Sequence, residues 1–237
     1  MRAFAVHRIA AIFALAGCAA AQQDAQKANA ELEEQVFAQR RLLNDWGGLV
    51  YYGSENTELK PDPDRVVLLG DEVTENWPSA LLGKRFLNRG IEHQTTGQML
   101  VRFRQDVVSL KPKAVVIQGG RNDLAGYGGP ATTGTIADNV MSMVDIARAN
   151  GIRVVVTSLI PVCDCRGKAQ INRQLPGKIL GVNEWLKDYA AREKLTYIDW
   201  YSALAQGRAF RADLTADGLL PNGAGYRAMA KSLADAF

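Results

Sequence analysis

Short apolar segments alternate with longer amphipathic segments along most of the chain. The apolar segments cover Arg65–Leu69, Phe86–Asn88, Ala114–Gln118, Arg153–Ser158 and Thr196–Asp199. The segments with helical hydrophobic spacing cover Thr96–Leu110, Ile136–Asn150, Lys178–Lys194 and Ala224–Ala234. Strands that alternate with helices of this length are typical of βαβ units, in which a parallel sheet is covered on both faces. The pattern therefore predicts a five-stranded parallel sheet inside a three-layer α/β/α sandwich.

The first residues have the pattern of an export signal. Arg2 and Arg8 precede an apolar run, Ile9–Leu15, which is too short to span a bilayer and leads into the residues LAGC, ending at Cys18. This ending resembles the lipobox of a bacterial lipoprotein, which implies cleavage before Cys18 and lipidation of its thiol. The alternative is an ordinary secretory signal that is cut after the alanines at 19–21. Both patterns predict an exported protein of the periplasm or cell envelope, and the lipobox adds a lipid anchor in the membrane.

Three regions follow one another along the chain. Residues 1–17 form the signal, and residues 18–45, rich in Ala, Gln, Glu and Arg, are expected to form a tether or an N-terminal helix. Two prolines within Lys60–Asp64 interrupt any helix just before the first predicted strand. The α/β domain is assigned to residues 46–237.

Composition and charge indicate which classes of binding partner to expect, and the cysteine count limits the possible disulfides. The chain has 237 residues, of which 47% are hydrophobic and 22% charged, as in ordinary globular proteins. Loss of Arg2 and Arg8 with the signal lowers the formal charge from +3 to +1, so a nucleic-acid partner is not indicated. Besides Cys18, the chain holds Cys163 and Cys165. Export permits a disulfide between them, free thiols are the alternative, and two cysteines alone make no zinc site.

Polar residues cluster where the predicted strands end. Residues 70–72, Gly-Asp-Glu, follow the first strand, His93 lies in the loop after the second, and Asn122 follows the third. Asp217 precedes the last helix. Because the carboxyl ends of parallel strands meet at one edge of a sheet, we expect these residues to form one site. One glycine and two carboxylates after the first strand disfavour a nucleotide-phosphate site, and no other cofactor is expected.

These loops, in this order, resemble the sequence blocks of the SGNH (GDSL-type) hydrolase family. The resemblance extends from about residue 45 to the C-terminus and includes QTTGQ at 94–98 and DWYS at 199–202. It implies a flavodoxin-like fold. Family members are mostly esterases and acylhydrolases that use a serine on the first block and an Asp-x-x-His pair on the last. A glycine N–H and an asparagine side chain help to form their oxyanion hole.

Position by position, the resemblance implies that the serine machinery has been replaced. Glu72 stands at the position of the nucleophilic serine, His93 at that of the oxyanion glycine, and Leu220 at that of the catalytic histidine. Asn122 and Asp217 match the family. A serine nucleophile needs a neighbouring base, and leucine cannot accept a proton. The prediction is an inactive or repurposed member that binds a small-molecule, acyl or carbohydrate-type ligand.

Three hypotheses remain for the candidate site. Its residues are Glu72, His93, Asn122 and Asp217. In the first hypothesis Glu72 forms an ion pair with His93 or Arg121, and the scaffold persists for binding. In the second, Asp71, Asp217 and burial raise the pKa of Glu72, which acts as the general base of a weak ester hydrolase with Asn122 in the oxyanion hole. In the third, Glu72, His93 and Asp217 bind a divalent metal, although no spacing in the sequence demands one.

Overall fold

The computed structural model describes residues 22–23, 25–33, 35–36, 43–167 and 171–237. The predicted signal and Cys18 therefore lie outside the described residues. The chain divides into two compact units, Met1–Trp46 and Gly47–Phe237. In the first unit, the described residues between 22 and 36 are helical. Among all described residues, none belongs to a helix long and apolar enough to cross a membrane.

The second unit is built on a five-stranded parallel sheet with the strand order β2-β1-β3-β4-β5. The strands are β1 (Val66–Gly70), β2 (Phe86–Gly90), β3 (Ala114–Ile117), β4 (Arg153–Thr157) and β5 (Thr196–Ile198). All five coincide with the apolar segments of the sequence, and the predicted fold class is confirmed. The strand β2 lies on one side of β1, and β3 lies on the other side. The loops that follow β1, β2 and β3 therefore lie next to one another at one edge of the sheet.

Helices connect and cover these strands. They are α1 (Gly53–Glu58), α2 (Glu72–Glu75), α3 (Thr96–Asp106), α4 (Arg121–Ala125), α5 (Thr133–Ala149), α6 (Leu175–Glu193), α7 (Trp200–Leu204) and α8 (Gly223–Asp235). The four long helices were predicted. The short elements were not, and they include a hairpin of β6 (Ala205–Gln206) and β7 (Ala209–Phe210).

The sheet separates two hydrophobic clusters because successive strand side chains point to opposite faces. In β1, Val67 and Leu69 belong to one cluster, together with side chains of α3, α5 and α6. Val66 and Leu68 belong to the other cluster, together with side chains of α7 and α8. Every residue of β1 is buried. A strand covered on both faces must be apolar throughout, which explains its continuous hydrophobic run.

The first site loop is held tightly against the strand ends. Asp71 caps α2, because its Oδ1 accepts a hydrogen bond from the backbone N–H of Val73 at 2.9 Å. A Cβ atom at Gly90, the last residue of β2, would lie only 2.1 Å from the backbone nitrogen of Glu75. Only glycine allows α2 to pack this closely on the end of β2. Glu72, the first residue of α2, is thereby fixed above the sheet edge.

Candidate active site

Glu72 lies just after the carboxyl end of β1, and its carboxylate is held by three donors. Nδ2 of Asn122 donates a hydrogen bond to its Oε2 at 2.8 Å, and the backbone N–H of His93 donates to the same oxygen at 3.1 Å. The guanidinium of Arg121 pairs with Oε1. Glu72 is only 6% exposed. Each carboxylate oxygen is thus engaged, so the side chain is fixed in one position.

These contacts determine the ionisation of Glu72. Burial alone would raise its pKa, but the Arg121 charge and the Asn122 hydrogen bond outweigh burial and lower it. The predicted rise in the pKa of Glu72 is therefore wrong. The sequence placed two acids beside Glu72 but could not show that a buried cation points at its carboxylate. The neighbouring Asp71 behaves in the opposite way, because complete burial and the Glu72 charge raise its pKa.

Arg121 also settles which ion pair forms. The sequence left His93 and Arg121 open as partners, and the structure selects Arg121, which is 5% exposed. Its second terminal nitrogen donates a hydrogen bond to the carbonyl oxygen of Leu219. Arg121 therefore connects the first site loop to the last one. Its guanidinium group bridges the space between the Glu72 carboxylate and the backbone of Leu219.

His93 contributes its backbone to the site, whereas its imidazole faces outward. Its φ angle is +62°, a left-handed conformation that glycine adopts readily and other residues seldom do. This conformation fits the glycine position that the family resemblance assigns to it. The imidazole stacks on Tyr127 with ring centroids 4.9 Å apart, and its Nε2 lies 3.8 Å from Oε1 of Glu92. The imidazole of His93 is therefore not directed at Glu72.

Asn122 and Asp123 lie in the first turn of α4 and form hydrogen bonds with different parts of the protein. Nδ2 of Asn122 also donates to the carbonyl oxygen of Gln94 at 3.1 Å, which fixes the amide between two site loops. Asp123 accepts hydrogen bonds from the backbone N–H of Thr96 at 2.9 and 3.2 Å and from its hydroxyl at 2.5 Å. Asp123 thus anchors the start of α3, while Asn122 remains at the candidate site.

The last site loop carries Asp217, but it has a leucine at position 220, where the resemblance assigns the catalytic histidine. Oδ1 of Asp217 accepts hydrogen bonds from the backbone N–H groups of Leu219 and Leu220, both at 2.8 Å. The Asp217 carboxylate therefore stabilises the turn that carries Leu220. The Leu220 side chain lines the cavity at the position that the resemblance assigns to histidine. The loop is therefore held by Asp217 and carries a leucine, which cannot accept a proton, at position 220.

A cavity of about 260 Å³ opens above these residues. One part of its wall is apolar and consists of Ala125, Ile171, Leu175, Leu219 and Leu220. The remaining wall is polar and consists of Glu72, Glu92, His93, Arg121, Asn122, Tyr127 and Asp217. All four predicted site residues thus line one cavity. An apolar wall with a few convergent polar groups is the usual composition of a small-molecule site.

The metal hypothesis fails on geometry. Within the described ranges, no three His, Cys, Asp or Glu side chains lie close enough together to hold a metal ion. The imidazole of His93 points toward Tyr127, and the carboxylate of Asp217 is committed to its own turn. The proposed ligand set of Glu72, His93 and Asp217 is therefore not brought together.

Arg102, a buried arginine that lies below the site, was not identified from the sequence. Arg102, on α3, is fully buried and pairs with Asp106 one helical turn later at 3.0 Å. It donates to the carbonyl oxygen of Gly70 at 3.0 Å and to the side chain of Gln94 at 2.5 Å. These contacts hold the first and second site loops from beneath. The available signal was an Arg and an Asp at i,i+4 spacing on the apolar side of a predicted helix.

Comparisons with known proteins agree with this fold. The sequence profile of the GDSL-like lipase/acylhydrolase family matches residues 52–228. The chain is also 34% identical over 85 residues to YqeF of Bacillus subtilis (strain 168), an uncharacterized lipoprotein. That match covers 35% of this chain and 35% of the relative, so the chain spans about a third of the length of this curated relative.

Two solved structures resemble most of the chain. A candidate acylhydrolase from Bacteroides fragilis is 36% identical with a TM-score of 0.74, and the match covers 81% of this chain and 96% of that one. A GDSL-like lipase from Bacteroides thetaiotaomicron is 32% identical with a TM-score of 0.76, and the match covers 81% and 98%.

Proposed function

The chain belongs to the GDSL-like lipase/acylhydrolase family, and we propose that it is a non-hydrolytic member that binds a small molecule in the cavity beside Glu72. One observation carries this proposal. The donors on Asn122 and on the backbone of His93 converge on Oε2 of Glu72. In an acyl-transfer site, such donors stabilise the negative oxygen that develops in the transition state. A donor set that already holds a carboxylate is closed to a substrate carbonyl.

The proton chemistry supports the same conclusion. Position 72 carries no hydroxyl, and Leu220 offers no acceptor for a proton. General-base catalysis by Glu72 itself requires a carboxylate with a pKa near the working pH. Contact with Arg121 instead lowers the pKa of Glu72, against the effect of burial. Glu72 is therefore a weak base whose oxygens are already hydrogen-bonded.

The cavity nevertheless retains the composition of a ligand site. Its apolar wall, formed in part by Ile171, Leu175 and Leu220, suits an acyl chain or another hydrophobic group. Its polar wall, which includes Glu92, offers acceptors for hydroxyl groups such as those of carbohydrates. The proposed ligand is therefore a small molecule with an apolar part and hydrogen-bond donors.

A second part of the proposal concerns location. The LAGC residues before and at Cys18 support export and lipid anchoring, and so does the similarity to a Bacillus protein described as a lipoprotein. We expect the native protein to enter the detergent-rich phase on Triton X-114 partitioning. Cys18→Ser should move it to the aqueous phase, because one acyl chain or more is then lost. Equal partitioning of both proteins would contradict the anchor.

Hydrolysis assays test the functional proposal directly. Purified protein should not hydrolyse p-nitrophenyl acetate or butyrate above the uncatalysed rate, and a fluorophosphonate probe should label no serine. A screen of acyl and carbohydrate compounds should find ligands that raise the melting temperature and are recovered unchanged. Serine labelling would refute the proposal. Turnover that is lost in Glu72→Gln but kept in Asp71→Asn would restore the general-base hypothesis, and chelator-sensitive turnover would restore the metal hypothesis.

A further inference from the structure

The loop that follows β4 contains a disulfide whose two halves differ in exposure. Cys163 and Cys165 are joined, with their Cα atoms 5.1 Å apart. Cys163 is buried at 7% exposure, whereas Cys165 and both of its neighbours, Asp164 and Arg166, are exposed. The bond thus presents one cysteine to solvent and keeps the other within the protein. It is also outside the cavity around Glu72.

Stabilisation of the fold is a weak explanation for this bond. The stability that a disulfide adds through chain entropy grows with the length of the loop it closes, and here one residue lies between the cysteines. Backbone contacts already hold the segment, because the N–H of Cys163 donates to the carbonyl oxygen of Gly218 at 2.9 Å. The guanidinium of Arg166 likewise donates to carbonyl oxygens of Ala212 and Thr215. The segment is therefore anchored without the bond.

We propose that the Cys163–Cys165 disulfide is a thiol-exchange site, at which an external thiol attacks Sγ of Cys165. Exposed disulfides are the reducible, exchange-active class, whereas buried ones resist reduction. Buried Cys163 is retained as the second thiol, positioned to reform the bond. The substrate class is thiols, and this site does not depend on the proposed function of the cavity.

The exchange balances without a further reagent. A thiolate RS⁻ bonds to Sγ of Cys165, the bond between the two cysteines breaks, and its electron pair goes to Sγ of Cys163, which takes a proton from water. A second thiolate attacks the external sulfur of the mixed disulfide and releases Cys165 as a thiolate. The products are RSSR and two reduced cysteines. Two external thiols are oxidised, and one protein disulfide is reduced.

Trapping with glutathione tests the site on the full-length exported protein in detergent. Folded protein is incubated with reduced glutathione, quenched with acid and digested with trypsin. Residues 154–166 form one tryptic peptide that contains both cysteines, and it is separate from Cys18. We expect a glutathione adduct on Cys165 in this peptide. Because only the thiolate attacks, the rate should rise about tenfold per pH unit below the pKa of glutathione.

Two variants assign the roles of the sulfurs. Cys163→Ser has no disulfide, so it is incubated with oxidised glutathione, from which Cys165 displaces one glutathione thiolate. The Cys165 adduct should accumulate, because this variant lacks the thiol that expels the bound glutathione. In Cys165→Ser, the buried Cys163 should react with N-ethylmaleimide about tenfold more slowly than the free Cys165 of the first variant. Circular dichroism shows whether each variant is folded, and the wild-type trapping result stands if either is not. An adduct on Cys163, or reduction only at urea concentrations that unfold the protein, would overturn the proposal.

Discussion

Removal of the Glu72 carboxylate is the most direct perturbation of the candidate site. In Glu72→Ala, Arg121 keeps its charge at 5% exposure and loses its ion-pair partner. Asn122 and the N–H of His93 lose their shared acceptor. Breaking a buried pair by removing one partner costs about 3–5 kcal/mol. Because water from the adjoining cavity can reach these donors, we expect the lower limit, about 3 kcal/mol, which lowers the melting temperature by about 6–12 °C in a domain of this size.

A double-mutant cycle isolates the ion pair from other effects of the substitution. Urea unfolding is measured for Glu72→Ala, Arg121→Ala and the double variant. The double variant should be more stable than the sum of the single effects predicts, by about 1–3 kcal/mol, because it leaves no unpaired buried charge. The exposed pair Arg148–Glu193 serves as the control, and its coupling should not exceed the error of the measurement.

Acetate provides the second readout, since it can supply the missing carboxylate. In Glu72→Ala, acetate should raise the melting temperature more than sodium chloride of the same ionic strength does. Wild-type protein should show no such difference, because Glu72 already fills the donors. A ligand at 100 times its dissociation constant adds about 2.7 kcal/mol, enough to recover most of the loss. If Glu72→Ala is as stable as the wild type, or if acetate stabilises both proteins equally, Glu72 is not the occupant of an anion site.

The same contacts define the pH dependence of this pair. The pKa of Glu72 is lowered from 4.5 in the folded state, so its contribution to stability is complete above about pH 4.5. The contribution is lost as the pH falls through the folded pKa. The difference in unfolding free energy between the wild type and Glu72→Gln should therefore shrink as the pH falls below 4.5. A difference that grows on acidification would mean that the pKa of Glu72 is raised.

Three further predictions concern neighbouring groups. Glu72→Ser combined with Leu220→His should gain esterase activity about 10²-fold or more above the wild type on p-nitrophenyl acetate, whereas each single variant should stay inactive; equal activity of a single variant would contradict the need for both. Burial raises the pKa of Asp71 above 3.8, so ionisation of Asp71 destabilises the folded state as the pH rises above 3.8. Asp71→Asn should flatten this decline in the free energy of unfolding, which urea unfolding at a series of pH values measures. Asp123→Ala should destabilise the protein by about 1–3 kcal/mol, and Asp123→Asn by less, because Thr96 loses its acceptors.

The sequence predicted the sheet and the location of the site because both depend on the order of apolar and polar residues. Strands that are buried on both faces are continuous apolar runs, and their carboxyl ends brought Glu72, Asn122 and Asp217 to one edge. The partner of Glu72 was not predictable in this way. His93 and Arg121 both follow neighbouring strands, and the choice between them depends on a left-handed backbone that turns the imidazole outward. The direction of the pKa shift follows from that choice.

The spacing of Cys163 and Cys165 in the sequence also could not decide whether the two residues form a disulfide. Their proximity in sequence allows a bond or two thiols, and only the path of the loop brings the sulfurs together. The helix α1 and the hairpin β6–β7 were missed for another reason. With six residues and two plus two residues, they are too short for periodic hydrophobicity to accumulate.

The replacements at the site support one another. Loss of a serine alone would leave the donors of Asn122 and His93 without an acceptor, at a cost of about 1–3 kcal/mol for each buried group. Glu72 satisfies both, and Arg121 neutralises the charge that Glu72 brings into the buried site. Restoring serine alone should therefore destabilise the protein, because Arg121 would again be unpaired. If the protein is non-hydrolytic, as we propose, the Glu72–Arg121 pair contributes to stability at a place where an active site often costs stability.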